Sequence, residues 1–165
     1  MLDGQASVRA LVLGIGNPLM SDDGVGLRVL QALEQRLPAL VGADYVDAGT
    51  LSLLLLPRIE ECDALLLLDA AQLDAEPGAV QMFEGPAMDG FLAASRCSVH
   101  EVGMRDLLDA ARLTGCLPER RVLVGVQPER VGWGEALSAP VESAIPAAVS
   151  LARDILERWL GPVPA

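Results

Sequence analysis

"VRALVLGIGNPLMSDDGVGLRVLQALEQRL", residues 8–37, is the stretch from which the fold follows. Its first seven residues, "VRALVLG" (8–14), form a short and nearly continuous apolar run, the pattern of a strand buried on both faces. Over 22–37 the period changes, and Val25, Val29 and Leu33 recur at i, i+4 along one face of a helix. Between the two lies a turn containing Gly14, Gly16 and Asn17, followed by the adjacent acids Asp22 and Asp23. Strand, glycine turn and helix make a βα unit, and repeated βα units build parallel sheets.

The alternation continues down the chain. "ADYVDAG" (43–49) predicts a second strand reaching Asp47, "LSLLLLPRIEE" (51–61) a helix of one or two turns, and "DALLLLDA" (63–70) a third strand ending at Asp69. Residues 79–84 alternate as a strand, and Val102, Met104, Leu107, Leu108 and Ala111 space a helix over 101–114. "RRVLVGVQP" (120–128) is the last strand, stopped by Pro128. After a loop containing glycine and Trp133 comes a closing helix over 140–159, which Pro146 delimits or kinks. The order βαβαββαβα predicts one α/β domain over residues 1–165. Its three layers are a twisted, mostly parallel sheet of about five strands with helices on both faces. In such a sheet ligands sit beyond the carboxyl ends of the strands, at a topological switch point.

Composition narrows the functional classes. The net charge is −11 over 165 residues, which disfavours nucleic acid and anionic membranes and favours a cation or a basic partner. Hydrophobic residues make up 52% and aromatics only 3%, so the core must be aliphatic. Cys62, Cys97 and Cys116 are widely spaced without a CxxC pair, and no basic leader or membrane-length apolar run is present. Those features predict a cytoplasmic protein without disulfides.

Asp47 and Asp69 end strands, Asp23 starts a helix, and His100, the single histidine, directly precedes a predicted helix. All four therefore fall at the carboxyl edge. Each has a plain structural use: acids favour the first turn of a helix through the macrodipole and form turns at strand ends. Their convergence, however, crowds carboxylates unless a cation neutralises them. Two carboxylates and an imidazole suit zinc, nickel or a similar first-row ion with positions left open. HExxH and GxSxG are absent. At this level the residues describe a metal-binding α/β domain, with a phosphate-binding glycine turn as the rival reading.

The ordered set "LGIGNPLMSDDGVG" (13–26), "DAGT" (47–50), "LLLDA" (66–70), "SVHEVG" (98–103), "VGVQP" (124–128) and "LSAPVESAIPAAV" (137–149) resembles the NiFe-hydrogenase maturation endopeptidases. The resemblance spans most of the chain. It implies a peptidase that removes the C-terminal extension of the hydrogenase large-subunit precursor once nickel is installed. It also implies that Asp23, Asp69 and His100 are the catalytic metal ligands. Asp23 is chosen over Asp22 because the family's ligand is the second acid of its pair. Nickel would come with the substrate, with zinc or cadmium able to replace it in a crystal. Gly14, Gly16, Asn17, Asp47, Gly49 and Thr50 are expected to support the crevice or bind substrate. "DAGT" carries Ala48 where the family often has glycine. The expected protein is a monomer that acts on the precursor and binds neither nucleic acid nor membrane. Its alternatives are a nucleotide- or small-ligand-binding domain and a non-proteolytic nickel chaperone.

Overall fold

The computed structural model describes residues 8–37, 40–49, 53–94 and 99–162, with the backbone alone for 99–102. Strand β1 (Ala10–Ile15) leads through a 3₁₀ turn (Asp22–Gly24) into helix α1 (Val25–Arg36), and β2 (Ala43–Gly49) follows. A second 3₁₀ turn (Leu53–Leu55) opens α2 (Leu56–Glu60), which precedes β3 (Ala64–Ala70) and β4 (Val80–Glu84). Helices α3 (Pro86–Ala94) and α4 (Val99–Leu113), strand β5 (Arg120–Val126) and helix α5 (Ala139–Leu160) complete the described chain.

The five strands lie in the order β2-β1-β3-β5-β4, all parallel except β4, which runs antiparallel to β5. Side chains alternate across the sheet and divide the core in two. Ala10, Val12, Leu66, Leu68, Val122 and Val124 meet α1 and α5 on one face. Leu11, Leu13, Ile15, Leu65, Leu67 and Leu123 meet α2, α3 and α4 on the other. The expected three layers are therefore present. Val25, Val29 and Leu33 are buried as their spacing predicted, and Ala64 to Leu68 are sealed as a central strand flanked on both sides.

One helix was not anticipated and one expectation needs correction. Helix α3 falls where the sequence pattern assigns no element, and Gly85, Pro86 and Gly90 punctuate "GPAMDGFLAA". Proline is harmless at a helix start, where its missing N–H has no partner to lose. Met88 and Leu92, one turn apart, bury themselves under the sheet at 0% and 4% exposure. Pro146 neither ends nor divides α5, which runs through it from Ala139 to Leu160. The proline forfeits one intrahelical bond to Glu142, while Val141, Ala144, Ala148, Val149 and Ala152 pack the helix onto the sheet.

Boundaries shift by a few residues elsewhere. The helix predicted to start at residue 22 begins with the 3₁₀ turn and becomes α-helical at Val25. Helix α4 starts at Val99, which moves His100 from a position before the helix into its first turn.

Candidate active site

The chain turns from β2 on one side of β1 to β3 on the other, so the switch point lies between β1 and β3. Gly26, in the first turn of α1, sits directly over this junction. A Cβ there would come within 2.2 Å of the Leu68 carbonyl oxygen and 2.4 Å of that of Ile15. Only glycine lets the helix start rest on both strand backbones. The 3₁₀ turn that carries Asp23 thereby packs against β3, whose penultimate residue is Asp69.

Gly16 completes this approach from the other side. Its φ is +126°, and a Cβ would fall 1.8 Å from the carbonyl oxygen of Asp23. The turn is therefore folded back onto the acid that follows it. Asn17 N–H donates to Asp23 Oδ2 at 2.9 Å, and Asn17 Oδ1 accepts from Leu19 N–H at 3.0 Å. Asn17 is a positioning residue that fixes one oxygen of the Asp23 carboxylate. Gly14 lets α1 lie flush, since a Cβ there would meet Leu30 at 2.8 Å.

These bonds also decide between carboxylate site and phosphate cradle. Gly16 N–H donates to the Gly49 carbonyl and Met20 N–H to that of Asn17, while Asn17 and Leu19 are engaged as above and Pro18 has no N–H. The glycine turn has spent its amides within the protein and has none to offer a phosphate.

Asp69 is 8% exposed and lies opposite Gly125 of β5. Alternation with Leu65 and Leu67 places it on the face covered by α4. Asp23, also 8% exposed, arrives from the turn beside β3. His100 is the second residue of α4; its side chain lies outside the described residues, as does Thr50. Among the described residues no three of His, Cys, Asp and Glu gather as metal ligands, and Asp23 and Asp69 are the members of the expected triad whose side chains are described.

Asp47 has a different task. Its Oδ1 accepts from Gly49 N–H at 2.8 Å, closing a turn in which Gly49 has φ +54°. The side chain is exposed, and its register places it with Ala43 and Tyr45 rather than on the Asp69 face. Since the Gly49 carbonyl accepts from Gly16 N–H at 2.9 Å, Asp47 supports the glycine turn from β2.

Asp22, expected to be a simple helix-start acid, is fully buried and spans the molecule. Its Oδ2 accepts from Glu129 N–H (2.9 Å), Arg130 N–H (3.0 Å) and Ser138 Oγ–H (2.8 Å), and its Oδ1 from Ser138 N–H (2.6 Å). Burial opposes ionisation, but the bonds from Ser138, Arg130 and Glu129 outweigh it and hold the carboxyl below its ordinary value of 3.8. The partners lie 107 to 116 residues away in sequence, so no local signal announced this clamp. Gln127, 5% exposed, does similar work beside β3: its Oε1 accepts from Leu73 N–H at 2.7 Å.

Two buried carboxylates at the switch point can bind a cation or accept a proton from water. The nearby Ser21 hydroxyl donates to the Gly132 carbonyl at 2.8 Å and is thereby engaged. Cys62 and Cys116 precede β3 and β5 and so lie at the amino edge, opposite the acids. Burial, with the Asp63 charge, pushes the Cys62 thiol up to about 11, which keeps it protonated and a poor nucleophile.

Several known proteins are similar to this chain. The family model for hydrogenase maturation proteases matches residues 27–155. A hydrogenase expression/formation protein, HupD of Rhizobium leguminosarum bv. viciae, is 38% identical over 92% of this chain and 75% of its own length. HoxM of Cupriavidus necator, similarly described, is 36% identical over 93% and 77%. The solved structure of the hydrogenase maturating endopeptidase HybD from Escherichia coli superposes with a TM-score of 0.85 at 32% identity, covering 92% of this chain and 93% of that one.

Proposed function

The chain belongs to the hydrogenase maturation protease family, and on that premise we propose that it removes the C-terminal extension of a nickel-loaded NiFe-hydrogenase large-subunit precursor. The observation that carries this reading is the pair of acids, Asp23 and Asp69. Each is 8% exposed, and separate elements deliver them to the switch point of the sheet.

In this mechanism Asp23 and Asp69, with His100 from the first turn of α4, engage the nickel that the precursor already holds near its cleavage site. Engagement places the scissile peptide at the carboxyl edge, where water attacks the carbonyl. The attacking water loses its proton to a carboxylate, or is activated by the substrate's nickel. Selectivity follows from electrostatics: nickel on the precursor gives two buried carboxylates a cation to attract, a contact that precursor without nickel lacks. Nickel is thus part of the substrate rather than a resident cofactor. A single chain supplies the acids, which suits action as a monomer. The free thiols Cys62 and Cys116 suit the reducing cytoplasm. No helix among the described residues is long and apolar enough to cross a membrane.

The test is incubation with nickel-loaded and nickel-free precursor side by side, followed by intact-mass spectrometry. Loss of the extension from the loaded form alone is expected. Equal processing of both would remove nickel recognition and leave the peptidase standing, whereas binding without shortening would favour a chaperone.

A further inference from the structure

Beside the acids the chain exposes apolar surface that the core does not use. Leu19 is 47% exposed, Val131 57% and Trp133 86%. They come from two loops distant in sequence but joined backbone to backbone: Gly134 N–H donates to the Leu19 carbonyl at 2.9 Å and Ser21 N–H to the Gly134 carbonyl at 2.7 Å. Bridges pair Met20 with Gly134 and Ser21 with Val131. Val131 and Trp133 line one shallow depression of about 380 Å³ together with Ser21, Arg130 and Glu135.

This surface is held rigidly and held to the site. The buried carboxylate of Asp22 grips Glu129 and Arg130 at one end of the loop and Ser138 at the other, while Ser21 Oγ fastens Gly132 in its middle. Asp22 adjoins Asp23 in the same 3₁₀ turn, so the loop and the active carboxylate move as one piece. A tryptophan 86% exposed on a clamped loop leaves a large apolar side chain in water. It is what a pre-organised binding anchor requires, since little entropy remains to be lost on docking.

We propose that Leu19, Val131 and Trp133 form the docking face for the folded body of the large-subunit precursor, seating an apolar patch that borders its C-terminal extension. The inference rests on the peptidase reading above. Its occupant follows from continuity: the substrate is a protein whose cleavage site must reach Asp23 and Asp69, and this face is bonded directly to the turn that carries Asp23. The charges around it are mixed, Arg130 with Glu129 and Glu135, so apolar contact rather than net charge selects the partner.

The experiment compares wild type, Trp133→Ala and Val131→Ser on nickel-loaded precursor, reading kcat and KM by mass spectrometry and Kd by biolayer interferometry. We expect Trp133→Ala to raise KM and Kd by about tenfold or more, the scale of an interface anchor, with kcat nearly unchanged. Val131→Ser should act in the same direction with a smaller effect. Unchanged melting temperatures would show that neither change acts through folding. In protein labelled with 5-fluorotryptophan, precursor should shift the ¹⁹F resonance of exposed Trp133 and spare that of Trp159, which is 8% exposed. If wild type cleaves and the variants match it in KM and Kd, the docking face is wrong and the peptidase stands. If wild type binds without cleaving and Trp133→Ala binds weakly, the docking face stands and the peptidase reading fails. A wild-type dimer that Trp133→Ala converts to monomer, with precursor affinity intact, would assign the face to self-association and overturn the proposal.

Discussion

Replacing Asp22 with alanine tests whether a buried acid, rather than the loop's own sequence, holds residues 129–138 in place. Four donors converge on this carboxylate, and their fates differ once it is gone. Glu129 and Arg130 are exposed, so water can replace the acceptor for their N–H groups. Ser138 is 3% exposed, and its N–H and hydroxyl are left without an acceptor. At about 1–3 kcal/mol for each stranded donor, Asp22→Ala should lose about 4 kcal/mol of stability. For a chain of this size that lowers Tm by about 8–16 °C. Asp22→Asn is milder. Its amide oxygen can take the place of Oδ2 and keep three bonds, but its NH₂ then faces Ser138 N–H, a donor against a donor, for a loss of about 2 kcal/mol.

The pH dependence has a definite sign. Because the folded state holds Asp22 below its ordinary value of 3.8, its ionisation contributes stability in full above that value. The contribution declines as pH falls from 3.8 toward the lower folded value and is gone beneath it. The gap between wild type and Asp22→Asn should therefore be constant near neutrality and close in acid. Thermal melts by circular dichroism across pH provide the assay, and amide exchange should speed up at Glu129, Arg130 and Ser138 in the alanine variant. An alanine variant melting within about 2 °C of wild type at pH 7 would refute the clamp.

Asp69→Asn and His100→Ala should each abolish shortening of the precursor in the mass assay while moving Tm by only a few degrees, because both sit at the sheet edge. Asp47→Asn should retain most activity, since an asparagine oxygen can accept the same bond from Gly49 N–H; a loss as complete as that of Asp69→Asn would give Asp47 a chemical role. Gly16→Ala should cost more than 2 kcal/mol, about the least expected where a positive φ and a collision with the Asp23 carbonyl coincide. Gly90→Ala, inside α3 with nothing within 4 Å of the added methyl, should instead gain about 0.5–1 kcal/mol. Urea denaturation distinguishes these two glycines, and equal effects would contradict their assigned surroundings.

What the sequence disclosed was whatever rests on local periodicity. The run from Ala64 to Leu68 reads as a central strand because every residue is apolar, and each is indeed covered on both faces. Asp47 was legible as a support because its turn closes within two residues. Helix α3 was hidden by its glycines and proline, whose cost the burial of Met88 and Leu92 offsets only once the sheet is in place. The choice of Asp23 over Asp22 came from resemblance alone, and spacing could not have made it.

The geometry distinguishes the two acids in physical terms. Both acids are nearly sealed from water, yet their carboxylates are committed differently. Both Asp22 oxygens are taken up by donors of the 129–138 loop, which lowers its pKa and removes it from any role toward a ligand. Asp23 is held through Oδ2 by Asn17 N–H while its turn packs against β3. One acid of the pair thus fixes the frame in which the other is presented. If that division holds, Asp22→Asn protein kept well below its lowered Tm should still process precursor, since the residual frame positions Asp23 as before. Asp23→Asn should be inactive with its melting nearly unchanged, as Asn17 N–H can still donate to an amide oxygen. The reverse pattern, with activity lost in folded Asp22→Asn and kept in Asp23→Asn, would exchange the two roles and place the chemistry on the wrong acid here.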